Sequence, residues 1–247
     1  MGILVELIRY LPNFIRYALS LILFWPSIIV TRFFTRVWPE RYRLWDKATP
    51  SGHLLVGSAP VLRSDLRRLK EQGVTHVVNL CWEWGGDPAY CEAIGLRHLH
   101  LPTLDFDPPT WKDALRGANF ICDALKGGGR CLVHCKAGKG RSVLLVLCYL
   151  VLHEEMKPRA ADAQLRANRP QISRKWSLPL VQAMESLALA NVAAPASAQR
   201  ARGSADGGGA PAADDIETTR FVPLPEERDR EKERLALRSL GKGGDVV

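Results

Sequence analysis

Neither a Cys-x-x-Cys pair nor a His-x-x-x-His spacing occurs in the 247 residues, and the nucleotide-loop pattern G-x-x-x-x-G-K-[ST] is also missing. The first two absences remove the usual ligand sets for a metal ion, so no metal and no cofactor are expected. The third excludes a Walker-type nucleotide site. The six cysteines, Cys81, Cys91, Cys122, Cys131, Cys135 and Cys148, show no paired spacing and fall at apolar positions. They read as reduced thiols of an intracellular protein rather than a disulfide framework. Acidic residues are in deficit: 26 Asp and Glu face 34 Lys and Arg, for a formal net charge of +8. The excess lies early, with 7 basic against 3 acidic residues in 1–47, 18 against 13 in 48–189 and 9 against 10 in 190–247. Such a surface suits phosphate-bearing partners such as anionic lipid. No nucleic-acid motif accompanies it, so nucleic acid is not expected as a partner.

A clean membrane span is lacking as well. The uncharged run 17–31, YALSLILFWPSIIVT, lies between Arg16 and Arg32. As a helix it would reach about 22 Å, short of a hydrocarbon core of roughly 30 Å, and Pro26 is expected to bend it. The preceding ILVELIRYLPNFI is apolar but carries Glu6 and Arg9. Residues 1–41 therefore read as an apolar, basic anchoring or targeting segment. It would lie at or re-enter an anionic membrane surface, edged by Arg32, Arg36, Arg41 and Arg43. Three other readings are a mitochondrial targeting element, a plain buried helix and a cleaved secretory signal, the last of which lacks a small-x-small cleavage site. The segment supplies no residue to the catalytic motif.

From about residue 49 short apolar runs alternate with helical stretches. Strands are expected at 54–57, 74–80, 96–101 and 131–134, and helices at 62–71, 110–125, 142–155, 160–167 and 178–189. That alternation predicts an α/β fold with a central, mostly parallel sheet flanked by helices over residues 42–190. Residues 191–247 turn to Ala, Gly, Pro, Ser and charge, including SADGGGAPAADD. They read as a disordered tail with a short exposed helix at 226–240, and a monomer is expected.

The chemistry concentrates between the fourth strand and the helix after it. There His134-Cys135-Lys136-Ala137-Gly138-Lys139-Gly140-Arg141-Ser142 has the form His-Cys-x-x-Gly-x-x-Arg-Ser. Backbone N–H groups at a strand-to-helix turn converge on an anion, and the positive end of the helix dipole adds to them. The same field lowers the Cys135 thiol pKa, giving a thiolate nucleophile. Arg141 offers a planar fork for two phosphate oxygens. Ser142 can donate to the sulfur, Gly138 and Gly140 permit the turns, and His134 orients the loop. A leaving alkoxide needs a proton, and LPTLDFDPPT after the third strand holds two candidates, Asp105 and Asp107. Asp105 is preferred, because Asp107 before Pro108-Pro109 has the character of a turn residue. Lys136 and Lys139 are not demanded by thiolate chemistry and are free for the rest of an anionic substrate.

These nine residues resemble the signature of the protein tyrosine phosphatase superfamily in its dual-specificity branch. The resemblance implies that superfamily's fold, a metal-free two-step mechanism, Cys135 as nucleophile, Arg141 as phosphate binder and an aspartate acid. Within the branch, LLVGSAP, GVTHVVNL, LPTLD and HCKAGKGRS fall in the order found in mitochondrial phosphatidylglycerophosphate phosphatases, and FWPSIIVTRFF is similar to their apolar inner-membrane segment. By that likeness Asp105 is the acid. Lys136 and Lys139 instead resemble the loop lysines of 3-phosphoinositide lipid phosphatases, as does Asn79-Leu80-Cys81 more weakly. The expected function is thus a cysteine-dependent phospholipid phosphatase, with a dual-specificity protein phosphatase as the alternative.

Overall fold

Sequence alternation becomes layers in the computed structural model, which describes residues 10–193. The tail beyond residue 193, with the helix expected at 226–240, lies outside the described residues, as do residues 1–9. The elements run α1 (Asn13–Ile22), α2 (Phe24–Val37), β1 (Trp45–Lys47), β2 (Leu54–Ser58), α3 (Arg63–Glu71), β3 (His76–Cys81) and α4 (Pro88–Ala93). They continue with β4 (Arg97–Thr103), α5 (Trp111–Lys126), β5 (Cys131–Cys135), α6 (Arg141–Leu152), α7 (Pro158–Asn168) and α8 (Pro179–Ala193). The sheet order is β1-β2-β5-β3-β4. Only β1 runs antiparallel, against β2.

Side-chain alternation along β5 assigns its two faces. Cys131, Val133 and Cys135 enter the larger core with α5, α6, α7 and α8. Leu132 enters the smaller core, where Leu66 and Leu69 of α3 and Cys91 of α4 pack on Leu55 and Val77. All twelve residues of α6 are buried, as befits a helix that is apolar nearly all round. With β5 central, Cys135 stands at the carboxyl end of the middle strand, where open α/β sheets bind ligands.

Some boundaries differ from the sequence reading. Strand β3 starts at His76 rather than Val74, because the Val74 N–H is taken by Leu69 O (3.0 Å) and the Thr75 N–H by Arg130 O (2.8 Å). Helix α6 stops at Leu152 rather than Glu155, which adopts a left-handed φ of 51°, while the Met156 N–H closes back on Leu150 O at 3.1 Å. Near the N-terminus the bend between α1 and α2 is 42° and falls at Leu23 rather than Pro26. Proline has no N–H for the carbonyl four residues back, which here is that of Ile22, so the helix breaks there and Pro26 sits in the first turn of α2. Among the described residues no single helix is long and apolar enough to cross a membrane.

Both N-terminal helices lie against the catalytic body. Phe24 and Ile28 of α2 are buried with Ala59 and Cys81, and Val61 and Trp84 pack against the same cluster. Arg32 of α2 pairs with the buried Asp65 of α3.

Candidate active site

The loop between β5 and α6 turns tightly because two glycines allow two backbones to touch. Gly138 has a φ of +68°, and a Cβ there would lie 2.3 Å from the Gly57 carbonyl carbon. A Cβ on Gly57 would in turn lie 2.1 Å from Leu44 O. Neither position accepts a side chain without moving a strand.

From the far side Arg169, which follows α7 and is 1% exposed, secures the loop. Its Nε donates to Gly138 O (2.7 Å), one Nη to Ala137 O (3.1 Å), and the other Nη to Asp46 Oδ2 (2.5 Å) and Arg43 O (3.2 Å). With two loop carbonyls taken by Arg169, the loop's N–H groups are left for an anion. Arg169 has no place in the nine-residue motif, and nothing near it in sequence announces its partners more than 30 positions away.

Cys135 is buried, with Ser142 Oγ donating to its Sγ at 3.4 Å. Burial alone would push the thiol up. The Arg141 guanidinium and the Ser142 hydroxyl and backbone N–H outweigh it against a smaller opposing push from Asp105, so the net shift is downward. Other buried thiols are pushed up instead, Cys91 to about 11 by burial and then by Asp87, and Cys148 to about 12 by burial that a backbone hydrogen bond only partly offsets. Cys81 is also pushed well up, chiefly by burial, and the Arg141 guanidinium only partly offsets it. His134 is buried and stays neutral, its pKa driven down to about 3 chiefly by burial and then by His98. Its Nδ1 lies 3.4 Å from Cys135 O, consistent with an orienting role inside the loop.

Arg141 is gripped from several sides. Its two Nη atoms donate to the two oxygens of Glu83 at 2.8 and 3.1 Å, and Nη1 also reaches Thr103 O at 2.7 Å and Leu80 O at 3.3 Å. The Glu83 side chain is fully covered. Its loop is pinned by Asn79, which donates to Trp84 O and accepts from the Cys81 N–H, both at 2.8 Å. Arg141 Nε is buried with no hydrogen-bond partner among the described residues. A donor left open next to the thiol is what an incoming phosphate oxygen would need. Glu83 was not singled out in the sequence, where it sits in Trp82-Glu83-Trp84 with no motif around it.

The two candidate acids separate. Asp105 turns to the phosphate loop, with Oδ2 2.5 Å from Lys136 Nζ and Oδ1 3.1 Å from Arg141 Nη2. Asp107 turns away to pair with Arg16 of α1. Between them Phe106 holds a left-handed φ of 70°. The loop lysines separate as well: Lys136 is committed to Asp105, whereas Lys139 is half-buried, its pKa lowered first by that burial and then by Arg169.

Comparison with known proteins agrees with this geometry. Residues 48–202, more than half of the chain, match the family described as "Swiss Army Knife protein, DSP-PTPase phosphatase domain" (PTP-SAK). Phosphatidylglycerophosphate phosphatase PTPMT2 of Arabidopsis thaliana is 36% identical over 156 residues, 61% of this chain and 66% of that protein. Dual specificity protein phosphatase 26 of Bos taurus is 35% identical over 138 residues, 54% of this chain and 58% of that one. The chain thus spans less than two thirds of the length of each of these relatives. Among solved structures, that titled "Crystal Structure of PTPMT1" superposes with a TM-score of 0.53 at 26% identity, covering 60% of this chain and 98% of that one. Fold, phosphate loop and matched region agree: the chain belongs to the PTP-SAK family of DSP-PTPase phosphatase domains.

Proposed function

We propose that the protein hydrolyses a phosphate monoester on an anionic phospholipid through a cysteinyl-phosphate intermediate, at an intracellular membrane such as the mitochondrial inner membrane. The observation that carries the chemistry is a buried thiol whose pKa is lowered against its own burial by Arg141 and Ser142. In the first step Cys135 Sγ attacks phosphorus as the ester P–O bond breaks, and Asp105 delivers a proton to the departing oxygen. The phosphoryl oxygens take the open Nε of Arg141 and the N–H groups of the loop. In the second step water attacks phosphorus and gives a proton to Asp105. The S–P bond breaks, and the thiolate returns to the Ser142 hydroxyl.

Support for a lipid substrate comes from the similarity to PTPMT2 and from the exposed apolar side chains of α1 and α2 next to the site. Lys139, which is not taken up by Asp105 as Lys136 is, adds charge suited to a headgroup with more than one anionic group. The similarity to dual specificity phosphatase 26 favours a second reading, a protein phosphatase. Phosphate release from phosphatidylglycerophosphate, a phosphoinositide panel and a phosphotyrosine peptide separates the two. Turnover of the peptide alone refutes the lipid assignment, and a Cys135→Ser variant that keeps a tenth of wild-type turnover refutes the covalent mechanism.

A further inference from the structure

We infer that α1 and α2 form a coupling device: their outer face beds in an anionic bilayer, and their inner face holds the loops that carry Asp105 and Glu83. The inference rests on the reading of this enzyme as one that works at a lipid surface.

The two faces of the pair differ sharply. Inward, Ser20, Phe24 and Ile28 recur every four residues and are buried. Outward, Phe14, Ile22, Trp25, Ile29, Phe33 and Trp38 are 45–73% exposed. Trp25, Ile29 and Phe33 lie four apart, one stripe of a helix. Exposed aromatic and branched side chains in such a row form a contiguous apolar patch, which a soluble surface rarely carries without an occupant. Charge selects the occupant. Residues 13–37 contain three arginines and no Asp or Glu, and the exposed Arg36, Arg41 and Arg43 continue the basic edge. An apolar stripe with an arginine rim fits the interface of an anionic bilayer. With the inner face packed on the catalytic body and a 42° bend between the helices, the pair lies along that interface instead of crossing it.

On the inner side the pair meets both carboxylate loops. Arg16, its side chain 11% exposed and its Nε without a partner among the described residues, pairs with Asp107. The ring of Tyr17 lies 4.7 Å from that of Trp82, the neighbour of Glu83. Phe24 stacks on Trp84 at 6.4 Å, and Trp84 lies 6.0 Å from His134. The acid loop is therefore held at two points, Asp105 on Lys136 and Arg141, and Asp107 on Arg16, with Phe106 between them in a left-handed conformation. A non-glycine residue persists there only when its surroundings over-determine it. Arg16 supplies one of those constraints and is a positioning residue for Asp105. A bilayer that fixes α1 fixes the acid.

The test uses the full chain and soluble substrates, so that concentrating a lipid substrate on a membrane plays no part. Rates are measured on an alkyl phosphate and on an activated aryl phosphate, with phosphatidylglycerol vesicles, phosphatidylcholine vesicles or none. The expected result is that anionic vesicles raise kcat for the alkyl ester by roughly 5–150-fold, the usual span of coupling between sites. The aryl ester, which needs no acid, should change little. Arg16→Gln should bind vesicles and lose the rise, Arg16→Lys should recover part of it, and Asp107→Asn should behave as Arg16→Gln from the other side of the pair. Trp25→Asp combined with Phe33→Asp should lose vesicle binding and the rise together.

A wild-type protein that binds anionic vesicles with no selective gain on the alkyl ester overturns the inference, as does an Arg16→Gln variant stimulated like wild type. A patch that pairs two copies of the chain and ignores vesicles, seen by sedimentation, overturns it as well. Stimulation on the alkyl ester with no turnover of any phospholipid supports the coupling and refutes the lipid-substrate reading.

Discussion

Replacing Glu83 by Gln should destabilise the protein while making its thiol more acidic. The carboxylate of Glu83 accepts from both Nη atoms of Arg141 in a fully covered position. Glutamine keeps one acceptor oxygen but turns an N–H₂ toward a guanidinium that only donates, so one hydrogen bond becomes a donor–donor clash. Thr103 O and Leu80 O still accept from Nη1, but neither carries a charge. Breaking one side of a buried ion pair costs about 3–5 kcal/mol, and the retained oxygen points to the lower end. At roughly 2–4 °C per kcal/mol for a body of this size, the melting temperature should fall by about 6–12 °C. With one of its two carboxylate partners gone and only Asp105 left 3.1 Å from Nη2, the field of Arg141 at Cys135 is less compensated and the thiol pKa should move further down. The fork is also less well oriented, so kcat/KM should drop by roughly 10²-fold, the scale of losing one preorganised donor. Thermal unfolding, the pH dependence of iodoacetamide alkylation of Cys135 and steady-state kinetics measure the three effects. A variant that melts within a degree of wild type, or whose alkylation pKa rises, would refute the assigned role of Glu83.

Other perturbations address the acid, the buried histidine and the loop support. Asp105→Asn should slow hydrolysis of esters with poor leaving groups by roughly 10²–10⁴-fold and activated aryl esters much less; the opposite ranking of Asp105→Asn and Asp107→Asn would exchange their roles. His134 is held neutral with its pKa at about 3, against an ordinary 6.5, so its contribution to stability is complete above 6.5 and is lost as pH falls toward 3. Unfolding at pH 5 should show a loss of about 2 kcal/mol from this group, and His134→Gln should flatten that part of the pH–stability curve. Arg169→Met leaves Asp46 with only the long pair to Arg43 at 3.9 Å, strands two loop carbonyls, and should cost about 4 kcal/mol. Adding Asp46→Leu should restore much of the stability but not the inhibition by inorganic phosphate, because the carbonyls remain unheld.

Where local pattern decides the outcome, the sequence was legible. The alternation in 131–135 sets which residues of β5 face which core, and the nine-residue motif places Cys135, Arg141 and Ser142 on a strand-to-helix turn. The three-residue β1 was too short to carry an alternation. The short α4 did have a start signal, Asp87 followed by Pro88, with the Asp87 carboxylate accepting from the Tyr90 N–H at 3.1 Å. The residues that were missed, Glu83, Arg169 and Arg16, share one property: each acts through partners 31 to 126 positions away. Charge on a single residue carries no record of its partner, so only folding reveals these links. The run 17–31 was legible as an apolar helical stretch with a bend, but gave no sign of the loops beneath it.

Arg169 also bears on how the protein is made. Chain synthesis runs from the N-terminus, and domains fold as their parts emerge. The sheet strands, Cys135 and Arg141 all precede the clamp that holds Ala137 O and Gly138 O. Until Asn168 and Arg169 have been added and α7 has docked, the loop lacks that support. Cys135 is therefore translated well before its loop is secured, and a nascent chain stalled between α6 and α7 carries a cysteine whose surrounding loop is unfinished.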